Sequence, residues 1–107
     1  MLEDYENIHN GERVFIIGNG PSLIETPLEM LQDESTIALN KINLIYDDTS
    51  WRPTYYVFDD IADYSRENRS SQSFDFVDEN INQDITCFIS EEGKKHFGKN
   101  QNVEYYP

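Results

Sequence analysis

The chain has 107 residues, and its 21 acidic against 8 basic side chains give a net charge of -13 at pH 7. This charge argues against a nucleic-acid partner, because phosphate backbones are bound through Lys and Arg, and it disfavours anionic membrane surfaces. Hydrophobic residues make up 37% and aromatic residues 13%, so one folded domain spanning residues 1–107 is expected. Two explanations of the acidity stay open: a solvated surface that keeps the protein soluble, or adaptation to high salt.

The cellular location is predicted from the cysteine content and the apolar runs. Cys87 is the one cysteine, so no intrachain disulfide can form, which fits a reducing compartment. No apolar run approaches the roughly 18 to 20 residues that cross a bilayer, and the acidic amino terminus does not resemble a signal peptide. We therefore expect a cytoplasmic protein without a membrane span.

The first half of the chain predicts three strands separated by short helical turns. Apolar, β-branched and aromatic content predicts strands at residues 14–17, 35–39 and 54–58. Thr26 and Glu29 form a capping box around Pro27, which predicts a short helix capped by Thr26 with Glu29 reaching back. Weaker helical spacing is found at residues 2–8 and 42–46.

The second half continues the alternation of strands and helices. Helices are predicted from Asp60 or Asp63 onward, within residues 74–81, and from Ser90 to Gly98, and strands at residues 85–89 and 103–106. The resulting order predicts an α/β fold: a Rossmann-like, three-layer domain with a mostly parallel sheet of about five strands. Since the chain ends within the fifth strand, we expect an incomplete domain.

The loop after the first strand is the strongest candidate for a ligand site. Residues 14–17 lead directly into Gly18, Asn19, Gly20, Pro21 and Ser22. Glycines allow positive φ and close approach to a ligand, and successive amides can form an anion-binding nest. A plain tight turn remains the alternative. Leu23 replaces the third glycine of the dinucleotide fingerprint, which argues against a standard NAD site.

Polar residues also follow the next two strands. Asn40 and Lys41 follow the second strand, and Asp59 and Asp60 follow the third. Ligands of open parallel sheets bind at the carboxyl ends of strands, so Asn40 is a candidate for binding a base or sugar and Lys41 for neutralising a phosphate. Asp59 and Asp60 are candidates for ribose hydroxyls or a divalent metal. Asn40 as a turn former, a solvated Lys41 and an Asp as a helix cap are the alternatives.

The strings VFIIGNGPSL, TIALNKI and WRPTYYVFDD, within residues 12–60, carry a family resemblance. They resemble the amino-terminal part of a superfamily that contains bacterial lipooligosaccharide sialyltransferases and domain-of-unknown-function 115 proteins. The latter are related to archaeal 6-hydroxymethylpterin diphosphokinases. The PTYYVFDD form is closer to the domain-115 branch, because sialyltransferases have Asn where this chain has Asp59.

The resemblance implies a nucleotide-binding role. In the sialyltransferases the corresponding loop and Asn contact the cytidine nucleotide of the sugar donor. The implied nucleotide-binding residues here are Gly18, Asn19, Gly20, Pro21, Ser22, Asn40 and Asp59. Members of both branches are much longer, and the catalytic base of the sialyltransferases lies in a later half.

Three functional hypotheses follow from the sequence. The first is the nucleotide- or nucleotide-sugar-binding domain of a glycosyltransferase-like protein. The second is a diphosphokinase-like domain that uses Mg²⁺, with Asp59 and Asp60 near the metal. The third is a non-catalytic remnant. A partner chain that completes the sheet or the active site is a further expectation, because a truncated sheet edge favours pairing.

Overall fold

The computed structural model describes residues 2–58 and 72–107 of the chain. Five strands form one parallel sheet in the spatial order β1-β2-β3-β4-β5. The strands are β1 (Val14–Ile17), β2 (Ser35–Leu39), β3 (Tyr55–Phe58), β4 (Thr86–Ser90) and β5 (Val103–Tyr106). The predicted α/β class, the Rossmann-like parallel sheet and the number of strands are therefore confirmed.

The sequential strand order places the described parts of the connections on one face of the sheet. Right-handed crossovers, the rule for parallel strands, keep each connection on the same side when the order never reverses. Leu28, Ile42, Trp51 and Val77, from three different connections, accordingly belong to a single buried cluster. Ligand crevices of open sheets form where strand order reverses, and the five described strands contain no such point.

The core lies between the sheet and these connections. Alternate residues of the central strands point into the core. Five of them are 0% exposed: Thr36, Ala38, Tyr56, Cys87 and Ile89. The longest helix, α1 (Gln72–Asn82), covers the strands from the connection side with Val77. This helix agrees with the one predicted at residues 74–81, extended by one turn or less at its two ends.

A thin third layer covers the opposite face of the sheet. The amino-terminal 3₁₀ turn, Leu2–Tyr5, places Tyr5 edge-on against Tyr55 and Phe88, with ring centroids 6.2 and 5.1 Å apart. His9 Nε2 lies 2.6 Å from the Tyr55 hydroxyl. These contacts make the predicted three-layer arrangement, although the third layer consists of residues 2–11 and lies over β3 and β4.

The hydrogen bonds of the predicted capping box between Thr26 and Glu29 do not form. Leu28–Leu31 forms a single 3₁₀ turn without a side-chain cap. The Thr26 hydroxyl donates instead to the Ser22 carbonyl, and Glu29 accepts a hydrogen bond from the Thr49 hydroxyl at 2.6 Å. The tertiary contact with Thr49 lowers the pKa of the Glu29 carboxyl and replaces the local cap.

The helix predicted from Ser90 to Gly98 forms in two pieces: the 3₁₀ turn Glu91–Gly93, which Ser90 caps, and the one-turn helix α2 (Lys94–Phe97), which has no side-chain cap at Gly93. The Ser90 side chain accepts a hydrogen bond from the Glu92 amide, and Gly98 ends the helix with a φ of 65°. With φ 65° and ψ -155°, Gly98 has a backbone conformation that residues with a side chain rarely adopt, which favours glycine at this helix end. The helix predicted from Asp60 or Asp63 lies outside the described residues.

We predict that the Cys87 thiol does not react in the folded protein. Cys87 is completely buried, and burial raises the pKa of its thiol to about 12. Since the thiolate is the nucleophile, alkylation stays negligible at pH 8 and rises only as pH approaches this pKa or the chain unfolds. Iodoacetamide labelling followed by mass spectrometry checks this. Rapid native labelling at pH 8 would contradict it, with labelling in 6 M guanidinium as the positive control.

Candidate functional site

The loop after β1 has an extended backbone at its second glycine. Gly20 has φ -67° and ψ 162°, and positive φ among the described glycines occurs at Gly11 and Gly98. Gly18 and Gly20 therefore do not use the positive φ that glycine allows, and the loop lacks the alternation of right- and left-handed residues that makes an anion-binding nest. Gly20 instead leads directly into the 3₁₀ turn Pro21–Glu25.

Neither glycine of this loop is required by crowding within the chain. A Cβ atom built at Gly18 or at Gly20 meets no heavy atom within 4 Å. Both residues are exposed at the carboxyl end of β1. Alanine could take their place without a clash in the described structure, so crowding at Cβ and positive φ do not explain why glycine occurs twice here.

Asn19 fastens the loop to the neighbouring strand. Its side-chain amide donates a hydrogen bond of 2.9 Å to the carbonyl of Leu39, the last residue of β2. Within the described part of the chain, the backbone N–H groups of Asn19, Gly20 and Ser22 donate to no protein acceptor. The loop is thus tied to β2, and three of its backbone N–H groups have no acceptor within the described residues.

Asn40 forms the turn that ends β2. It takes a left-handed φ of 47°, which Asn tolerates better than most residues. Its backbone N–H donates to the backbone carbonyl of Val57 at 3.1 Å, and its backbone carbonyl accepts a hydrogen bond from the Tyr56 hydroxyl. These bonds support the turn-former alternative for Asn40, and its predicted contact with a base or sugar stays a prediction.

A cavity of about 260 Å³ opens between the β1 loop and the segment that follows β2. Asn19, Gly20 and Pro21 line it from one side and Lys41 from the other. The structure thus brings four residues singled out from the sequence to one cavity at the carboxyl ends of β1 and β2. Gly18, Ser22 and Asn40 belong to the same loops but do not line it.

Sequence reasoning missed most of the apolar wall of this cavity. The further lining residues are Leu23, Ile42, Leu44, Ile45 and Asp48. Leu23 immediately follows the glycine loop, whereas the others lie on the 3₁₀ turn Ile42–Ile45 or just beyond it. The signal that could have found them was the apolar spacing at residues 42–46, which predicts a turn facing the sheet.

The cavity has one charge of each sign. Lys41 is exposed and makes no ion pair within the described residues. Asp48 lines the same cavity. In a chain of net charge -13, an unpaired Lys beside backbone N–H groups is a local feature suited to an anionic group.

The magnesium hypothesis rests on residues beyond the described part. Asp59 and Asp60 lie in the undescribed range 59–71. Among residues 2–58 and 72–107, no three or more His, Cys, Asp or Glu side chains are grouped so as to hold a metal ion. Mg²⁺ binding therefore stays a prediction, and no step below depends on it.

The fold and the cavity together define an α/β domain with a cleft at the carboxyl ends of two neighbouring parallel strands. Comparison with protein-family models, curated proteins and solved structures finds no match to this chain. In the described ranges, no helix combines the length and apolar character needed to cross a membrane.

Proposed function

We propose that this chain is the nucleotide- or nucleotide-sugar-binding domain of a glycosyltransferase-like protein and that its ligand occupies the cavity between residues 19–23 and 41–48. The phosphate would lie against the glycine loop and Lys41, and the nucleoside against the apolar wall. The observation that carries this proposal is the pair of glycines, Gly18 and Gly20, which neither backbone geometry nor packing requires.

Close approach of a ligand is the remaining physical reason for these glycines. Glycine is used where φ is positive, where a neighbour leaves no room for Cβ, or where the backbone must approach a ligand. The first two reasons do not apply at Gly20. A phosphate that accepts hydrogen bonds from the Asn19 and Gly20 amides would need the loop surface free of side chains.

The cavity's size and lining suit a small nucleotide. Its volume of about 260 Å³ is slightly below the range of roughly 300–1,000 Å³ for small-molecule sites. Leu23, Ile42 and Ile45 offer apolar contact to a base or sugar, and Lys41 supplies one positive charge. One cation with backbone donors matches a mono- or diphosphate better than a triphosphate without metal.

The role of such a site in a transferase would be positional. Binding the donor's phosphate holds the sugar near an acceptor and stabilises charge that develops on the leaving group. The resemblance to the sialyltransferases supports a cytidine nucleotide, and it places the catalytic base in a part of those enzymes that this chain does not match. Cytoplasmic location remains part of the proposal.

Calorimetric titration with CMP, CDP, UDP, GDP and ATP, each with and without Mg²⁺, tests the proposal. Binding of a cytidine nucleotide without metal supports it, whereas binding of ATP only with Mg²⁺ supports the diphosphokinase-like hypothesis. Lys41→Gln should weaken binding and Lys95→Gln, a change of the same kind at an exposed residue of the last helix, should not. No binding by any nucleotide refutes both hypotheses.

Gly20→Ala should separate ligand binding from stability. Since the Gly20 backbone is extended and a Cβ has open space, we expect no loss of stability and a gain of about 0.4–1 kcal/mol from the restricted unfolded chain. Nucleotide affinity should fall at least about tenfold, equivalent to 1.4 kcal/mol, because the methyl group occupies the ligand's approach.

Urea unfolding and nucleotide titration of the same Gly20→Ala preparation make this measurement. Asn19→Ala is less decisive, because it also removes the bond to Leu39. A destabilised Gly20→Ala protein would show that the glycine is structural. Unchanged nucleotide affinity in a stable variant would show that the ligand does not approach the loop.

A further inference from the structure

The segment that follows β2, residues 41–48, is held by hydrogen bonds of the 3₁₀ type. The turn Ile42–Ile45 begins this pattern, and three backbone N–H groups, the last of them that of Asp48, donate to the carbonyls three residues before them at 2.9 to 3.1 Å. In 3₁₀ geometry, side chains three residues apart lie above one another. Ile42, Ile45 and Asp48 therefore form one row, and all three line the nucleotide cavity.

This row of side chains changes from apolar to charged as it leaves the core. Ile42 is 1% exposed and Ile45 is half-buried, whereas Asp48 is exposed. The Asp48 carboxylate makes no hydrogen bond or ion pair with a protein group within residues 2–58 and 72–107. Both of its oxygens are therefore available as acceptors at the open end of an apolar wall.

Lys41 lies at the other end of the same segment. At the 3₁₀ rise of about 2.0 Å per residue, Lys41 and Asp48 are about 14 Å apart along the segment, and these two side chains do not form an ion pair. A ligand in the cavity thus meets a cation at one end, an apolar wall along its length and a hydrogen-bond acceptor at the other end. In a nucleotide, these three positions correspond to the phosphate, the flat faces of the base and the polar edge of the base.

A carboxylate at the edge of the base distinguishes between bases. An ionised carboxylate accepts hydrogen bonds and cannot donate them. Cytosine and guanine each carry an exocyclic amino group that donates. In uracil a carbonyl oxygen takes the place of this group, and in hypoxanthine a hydrogen does. The carbonyl oxygen repels the carboxylate, and the hydrogen leaves it without the donor that water supplied, so both replacements cost binding free energy.

We propose that Asp48 is a specificity-determining residue of the nucleotide cavity and that its carboxylate accepts a hydrogen bond from the exocyclic amino group of the base. The base then lies against Ile42 and Ile45, with its phosphate toward Lys41. The cavity accordingly takes nucleotides whose base carries an amino group and discriminates against their counterparts without one. This inference rests on the proposed function, to which it adds the class of base and the residue that selects it.

Calorimetric titration of the full chain with CMP against UMP, and with GMP against IMP, tests this proposal. The members of each pair differ in whether the base carries the amino group. In the wild type, the amino-bearing member of at least one pair should bind at least about tenfold more tightly. Asp48→Asn should bring the ratio of the two Kd values to about one or below, because the Asn amide donates as well as accepts. A ratio within one protein cancels the effect that the lost negative charge has on phosphate binding.

Asp47→Asn is the matched control. It removes the same charge from the neighbouring exposed residue, which does not line the cavity, and it should leave the ratio unchanged. Circular dichroism confirms that both variants are folded, as expected for changes at exposed side chains. Equal Kd values within both pairs in the wild type, or a preference that Asp48→Asn retains, would overturn this inference and leave the proposed nucleotide site intact. No binding by any of the four nucleotides would overturn both.

Discussion

Trp51→Ala is expected to lower the free energy of unfolding by about 3–5 kcal/mol. Trp51 precedes β3, is 0% exposed, and belongs to the cluster that joins the connections to the sheet. Removing the indole leaves a cavity that the surrounding strands and turns can close only in part. Because small domains have about 5–15 kcal/mol of stability in total, this single change removes a large fraction of it.

Urea unfolding followed by circular dichroism measures the Trp51→Ala effect. Trp51→Phe is the informative companion, since the buried indole N–H has no hydrogen-bond partner among residues 2–58 and 72–107. Phenylalanine lacks this N–H group and keeps most of the apolar contact. We expect Trp51→Phe to be clearly milder. Met30→Ala, at an exposed site, should stay within about 0.5 kcal/mol of wild type. A loss below about 1 kcal/mol for Trp51→Ala would contradict the described packing.

Asn80→Ala is expected to cost about 1–3 kcal/mol through an unpaired hydroxyl. Asn80 on α1 is fully buried and accepts a hydrogen bond from the Tyr46 hydroxyl, while its amide donates to the Phe76 carbonyl at 2.9 Å. Burial also raises the pKa of Tyr46, so its hydroxyl remains a donor at neutral and moderately alkaline pH. Without Asn80 this buried donor loses its acceptor.

A double-mutant cycle with Tyr46→Phe isolates the contact between Tyr46 and Asn80. Tyr46→Phe in the Asn80→Ala background should cost less than in the wild type, because the unpaired hydroxyl is then removed. The free energies of unfolding of the four proteins give the coupling, expected at about 0.5–3 kcal/mol. Strictly additive effects would mean that the two side chains do not interact in solution.

The strands illustrate what local sequence can predict. Residues 14–17, 35–39 and 103–106 are short apolar or aromatic runs, and the structure forms strands at those bounds. Ser90 and Gly98 likewise flank the last helical segment, although its first part is the 3₁₀ turn Glu91–Gly93 and only Lys94–Phe97 is α-helical. These signals are reliable because backbone geometry and neighbouring hydrogen bonds within a few residues determine them.

The capping box and the glycine loop illustrate where local sequence fails. Glu29 had a local partner in the motif, yet it accepts a hydrogen bond from Thr49, twenty residues away. Gly18 and Gly20 suggested positive φ, but the loop is extended at Gly20 and is held by Asn19 on Leu39. In both cases the side chain bonds to a residue twenty positions away along the chain, and no local pattern specifies such a contact.

The sequence by itself determined the alternation of strands and helices, the acidic surface and the residues that follow β1 and β2, because each depends on composition or on spacing within a few residues. The tertiary structure decided the strand order, the single face that the connections cover, and the meeting of Asn19, Gly20 and Lys41 at one cavity. These features depend on pairing between segments about twenty residues apart, which periodicity along the chain does not specify.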